Sequence, residues 1–95
     1  MGSNLQPTIS RHAAARMQQR GIPSARIEQL LAFGREVHEG HGGVIVYFDR
    51  AARRRAERAG VARGHELDRL WGMYAVVTGG MVATVGHRYR RVRRR

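Results

Sequence analysis

The chain has 95 residues, no cysteine and a formal net charge of +11. That length holds one domain with a modest core, and the missing cysteines exclude a disulfide framework, a thiolate metal site and a cysteine nucleophile. All 18 basic residues are Arg, whose planar fork of donors suits phosphate, so the charge predicts a polyanionic partner.

No apolar run approaches the roughly 20 residues of a membrane span, and the N-terminus lacks a secretory apolar segment. A cytoplasmic protein without a membrane partner is expected. Residues 1–8 read as a disordered lead-in, 9–90 as a single domain and 91–95 as a basic tail. Ser10 is a natural N-cap for a helix over 11–20, where Ala13, Ala14, Ala15 and Met17 are good helix formers. Gly21 supplies the left-handed position that ends it, and Ile22 folds back on Met17. Pro23 or Ser24 opens a second helix whose Ile27, Leu30 and Leu31 share one face. Gly34 closes it.

From Arg35 the period changes to two. Glu36-Val37-His38 and Val44 to Phe48 read as strands around the turn Glu39 to Gly43. Asp49 caps a helix from Arg50 to Ala59, with Arg53 and Glu57 spaced for an ion pair. Gly60 and Gly64 break it, and Glu66 to Leu70 adds another helical turn. Met73 to Thr78 and Met81 to Val85 form a second strand pair across the hairpin signal Gly79-Gly80. The fold class is therefore α+β. Two N-terminal helices pack on a small, mainly antiparallel four-stranded sheet, and a helical, Arg-rich insert separates the two β pairs.

Few residue groupings carry chemistry. His12, Arg16 and Arg20 recur every four residues and share a helical stripe, an ordinary solvated face that could also present imidazole and two guanidiniums to phosphate. His87 and Arg88 stand where the last strand runs out. Alternation puts Thr84, Gly86 and Arg88 on one face and Val85, His87 and Tyr89 on the other, unless a bulge at Gly86 re-aims His87. His38 and His41 flank Glu39 without a second ligand cluster, so neither a metal nor another cofactor is expected. The glycines around His41 lack the lysine and following helix of a phosphate loop. A neutral imidazole at His12 or His87 suits removal of a 2′-hydroxyl proton, and Arg16 and Arg88 suit stabilisation of the phosphoryl charge. Tyr47 or Tyr89 suits stacking on a base or donating a proton.

Ser10-Arg11-His12-Ala13, then Arg16-Met17, then Arg20-Gly21-Ile22-Pro23 resembles the opening motif of a widespread family of small bacterial domains. Val82-Ala83-Thr84-Val85 resembles that family's closing strand. The resemblance implies an alliance with the RelE-like, barnase–EndoU–colicin superfamily of metal-independent ribonuclease toxins. It implies that His12, Arg16 and Arg20 are characteristic N-terminal positions and Thr84 the C-terminal one. His87-Arg88 would mark a narrower subgroup, and the Arg50–Arg69 insert departs from the general pattern.

The expectation is an RNA-binding RelE-like domain with metal-independent endoribonuclease chemistry. Its catalytic set would be His12, Arg16, Thr84, His87 and Arg88, and its nucleic-acid contacts Arg20, Tyr47, Tyr89, Arg90 and Arg91. RNA is favoured over DNA, and an acidic protein partner such as an antitoxin would also suit the charge. The alternative is a non-catalytic basic module that binds nucleic acid or a protein, such as an antitoxin-paired or phage-encoded inhibitor.

Overall fold

The computed structural model describes residues 8–40 and 42–87. His41, Arg88, Tyr89, Arg90 and Arg91 lie outside the described residues, as do residues 1–7 of the expected lead-in and the tail 91–95.

Helix α1 spans Arg11–Arg20, the span its capping residues predict. Ser10 Oγ accepts the Ala13 N–H at 3.0 Å. At the other end Gly21 adopts φ 67° and ψ 37°, and the Ile22 N–H donates to the Met17 carbonyl at 2.8 Å. Helix α2 spans Ser24–Phe33 behind Pro23. Gly34 ends it in extended backbone, so the glycine is required by proximity and not by handedness. A Cβ there would lie 2.5 Å from the Leu30 carbonyl oxygen and 2.7 Å from Val46 Cγ1.

Strands β2 (Arg35–His38) and β3 (Gly43–Tyr47) form the first antiparallel pair. Helices α3 (Arg50–Arg58) and α4 (His65–Trp71) follow. Strands β4 (Met73–Thr78) and β5 (Met81–His87) form the second pair, joined by Gly79 and Gly80, both at positive φ as a tight hairpin demands.

The sheet has five strands, not the expected four. Thr8–Ile9 forms β1, which pairs in parallel with β5 through Thr8↔Met81 and Ile9↔Val82. The order is β1-β5-β4-β3-β2, antiparallel apart from that one edge. A two-residue strand has no periodicity to read. Its stability comes from a partner more than seventy residues away, with the Ser10 N–H donating to the Val82 carbonyl at 3.0 Å.

In-register partners share a face of the sheet. Val46, Ala75 and Val85 lie on one face, as do Met73 and His87 and, beyond the bulge, Val77 and Val82. This face meets Ala13 of α1, Ile27 and Leu30 of α2, Ala52 and Ala56 of α3, and Leu67 and Leu70 of α4 in a single core. Burial of each of the larger side chains, such as Phe48, Ile27 and Leu70, stabilises by about 1.5–3 kcal/mol. The Arg-rich insert is thus no appendage. Its small and aliphatic residues fill the core while Arg50, Arg54 and Arg58 remain exposed at a four-residue interval.

Two local expectations are corrected. The irregularity in β5 falls opposite Val76 and Val77, which pair with Thr84 and Val82, so Ala83 is the extra residue and Gly86 is not. Skipping Ala83 lets Val82 and Val85, three apart, both point into the core. Arg53 turns to Asp68 Oδ1 at 3.0 Å instead of forming the ion pair expected with Glu57. From there its guanidinium also lies 5.9 Å from the Trp71 ring centroid, a spacing at which the ring face attracts a cation.

Candidate nucleic-acid interface

Helix α1 starts beside the middle of β5, where Ser10 Oγ donates to the Ala83 carbonyl at 3.0 Å. It ends beside the last residue of that strand, because Arg20 and His87 line the same cleft. His12 is eight residues back along the helix, about 12 Å at 1.5 Å per residue. The structure therefore brings His87 to Arg20 and leaves His12 and Arg16 outside that cleft. His12 is exposed and Arg16 half-buried.

The cleft has a volume of about 320 Å³. Three of its walls carry guanidiniums: Arg20 from α1, Arg26 from α2 and Arg69 from α4, with His87 from β5 and Asp68 beside them. Asp68 is the one carboxylate among these lining residues, and it already accepts from Arg53. Arg26 Nη1 is buried and has no hydrogen-bond partner, the one such side-chain atom among the described residues. An unmet buried donor costs about 1–3 kcal/mol, more on a charged group. Sequence periodicity missed Arg26 and Arg69, since each looks locally like the solvated flank of an amphipathic helix.

The other face of the sheet has no place in the core. Ile45 and Val76 pair there, half-buried and outside the core cluster. One row crosses this face at the end of the sheet nearest the cleft: Arg35 on β2, Tyr47 on β3, Tyr74 on β4 and Gly86 on β5, each in register with the next. The Tyr74 ring lies over Gly86, where a Cβ would come within 2.8 Å of it. Arg35 Nη1 donates to Asp49 Oδ2 at 3.4 Å. Thr84, paired with Val76, also faces this side and is half-buried. The expected catalytic residues Thr84 and His87 thus stand on opposite faces, while Tyr47 gains an unforeseen neighbour in Tyr74. Alternation through Met73 to Thr78, with Met73 and Ala75 inward, carried the signal for Tyr74.

The two surfaces meet. Tyr74↔Gly86 belongs to the open face, and Met73↔His87, one residue further along the strands, lines the cleft. Arg88, Tyr89, Arg90 and Arg91 follow His87 directly in the chain, though outside the described residues.

Fold and site together define a small, strongly basic α+β domain with helices on one face of a mixed sheet. Residues 9–77 match the family described as DUF4258, a domain of unknown function, and the chain belongs to that family. The match takes in the opening motif from Ser10 to Pro23, while the closing strand lies beyond it. No curated protein and no solved structure matches the chain. An alliance with RelE-like ribonucleases, implied only by the resemblance of the sequence motifs, belongs with the proposal that follows.

Proposed function

We propose that this domain is a cytoplasmic RNA-binding module that takes a single strand across the Tyr47–Tyr74 end of its sheet. One observation carries the reading: two tyrosines from neighbouring strands stand in register beside Arg35, on a face that makes no core, one residue from a guanidinium-lined cleft. Bases stack on such rings whatever their identity, and nearby arginines follow the backbone. The resemblance to a family allied with RelE-like ribonucleases favours RNA over DNA. An acidic protein partner such as an antitoxin would meet the same charge, but it would have no need of the paired rings.

The reading predicts a specific loss. Tyr74→Ala should weaken binding of a labelled single-stranded RNA by about tenfold or more, since a stacked base is worth roughly 1–3 kcal/mol. Gly86→Ala, which pushes the Tyr74 ring aside, should weaken it in the same direction. Fluorescence anisotropy measures both, with DNA of the same sequence as comparator. Wild-type affinity in both variants would remove the sheet face from the interface, and equal affinity for DNA would remove the preference for RNA.

A second reading, metal-independent cleavage, is favoured by the pairing of His87 with Arg20 in one cleft. His87 would take the 2′-hydroxyl proton, the 2′-oxygen would attack the adjacent phosphorus, and the proton would return to the departing 5′-oxygen. Arg20 would take the stabilising role expected of Arg16. Cleavage in EDTA that is lost in His87→Ala and kept in His12→Ala supports this mechanism. RNA retained intact leaves a binding module.

A further inference from the structure

We infer that the cleft at the C-terminal end of α1 is a seat for a doubly charged phosphate monoester. Charge comes first. Arg26 and Arg69 bring two fixed positive charges to the cleft beside Arg20, and Asp68, the one carboxylate among its described lining residues, is held by Arg53 at 3.0 Å. Like charges drawn together from separate helices repel one another unless an anion joins them. A phosphate monoester carries about −1.5 to −2 at neutral pH, whereas a linking diester carries a single charge. The excess of guanidiniums matches the monoester.

An unmet donor points the same way. Arg26 lines the cleft, and its buried Nη1 lacks an acceptor. A guanidinium presents several donors in a plane that fits two phosphate oxygens at once. Arg69, exposed, lines the same cleft. His87, lining the same cleft, adds a ring N–H. Size agrees. At about 320 Å³ the cleft exceeds a bare anion and stands at the low end of small-molecule pockets, roughly 300–1,000 Å³. Ile22 and Met73, both buried, offer apolar wall to whatever carries the phosphate. Two sources would supply that chemistry: the terminal phosphate of an RNA strand, or a small soluble phosphorylated molecule.

The seat stands on its own geometry, independent of the tyrosine face, and the test separates the two. Isotope-labelled full-length protein is titrated with inorganic phosphate, with adenosine 5′-monophosphate and with dimethyl phosphate while the Arg26 side-chain and His87 ring resonances are followed. Saturable shifts at both residues are expected with the first two, with dimethyl phosphate weaker by about tenfold for the lost charge-assisted bond. Arg26→Gln should abolish the shift at His87. Should that variant unfold, the surface variant Arg69→Gln must still weaken binding severalfold. Unmoved Arg26 and His87 resonances, or equal binding of dimethyl phosphate, would overturn the inference. A 5′-phosphorylated RNA that binds more tightly than its 5′-hydroxyl counterpart identifies the strand end as the source. Adenosine monophosphate binding without that difference identifies a small ligand. If neither RNA binds yet phosphate does, the RNA reading fails and the seat remains.

Discussion

Asp49 closes the start of α3 with a carboxylate that serves two elements. One oxygen accepts the Ala52 N–H at 2.8 Å, and the other accepts from Arg35 at 3.4 Å on the edge strand. The bond from Ala52 holds its pKa below the ordinary aspartate value, against a smaller opposing effect of desolvation, and Arg35 and then Arg55 add to the lowering. A folded pKa below the unfolded one means stability that is present above the unfolded value and lost as pH falls through the folded value. Asp49→Ala should therefore cost about 1 kcal/mol at neutral pH, the usual worth of such a cap. Its deficit should shrink in urea melts from about pH 7 to about pH 3, as the wild-type carboxyl gains its proton. A deficit that stays constant across that range would show that the charge contributes nothing. The Arg35 pair is too exposed to add much.

At the scale of elements, what could be read in the sequence tracks how local the cause is. The bounds of α1 follow from Ser10 and Gly21, both within one turn of the helix ends they set. The hairpin at Gly79-Gly80 is legible for the same reason. Strand β1 is not, because Thr8 and Ile9 are ordered by β5. The bulge at Ala83 is equally non-local: nothing in that alanine announces it, and only the need to bury both Val82 and Val85 demands it. The site divides along the same line. Tyr47 and His87 could be picked out from strand position, whereas Arg26 and Arg69 gain meaning only when α2 and α4 converge on the end of β5. Ser10 joins the two regimes, since one hydroxyl accepts from Ala13 within α1 and donates to Ala83 across the sheet. Ser10→Ala removes both bonds and should cost about 1–2 kcal/mol, the upper range for a lost cap. Hydrogen exchange should then show faster opening at Ser10 and Ala13 than at Ala75. Uniform acceleration across the sheet would mean that β1 and α1 open only with the whole domain.

Across the whole molecule, the arrangement of charge decides what kind of partner fits. The 18 arginines against 7 acidic residues are not confined to one motif. Arg50, Arg54 and Arg58 line the outside of α3, while Arg20, Arg26 and Arg69 surround the cleft. The core beneath them is built largely from alanine and aliphatic side chains around Phe48, so the fold holds these charges close together without burying many of them. A partner that neutralises several such groups releases counterions, and its affinity must then fall steeply with salt. For a single strand the logarithm of the binding constant falls by about 0.7 per phosphate contact for each tenfold rise in salt. Five contacts would give a slope of about −3.5, a loss of roughly a hundredfold between 50 and 200 mM salt. Arg20→Gln and Arg69→Gln should each flatten that slope by about 0.7, for one contact apiece. Tyr74→Ala should lower affinity at every salt concentration and leave the slope alone, because stacking releases no ions. That pattern separates the two halves of the interface. If Tyr74→Ala flattens the slope as well, the ring positions the backbone and does not hold a base. If neither arginine variant changes it, the phosphates run over α3, and the cleft is reserved for its own ligand.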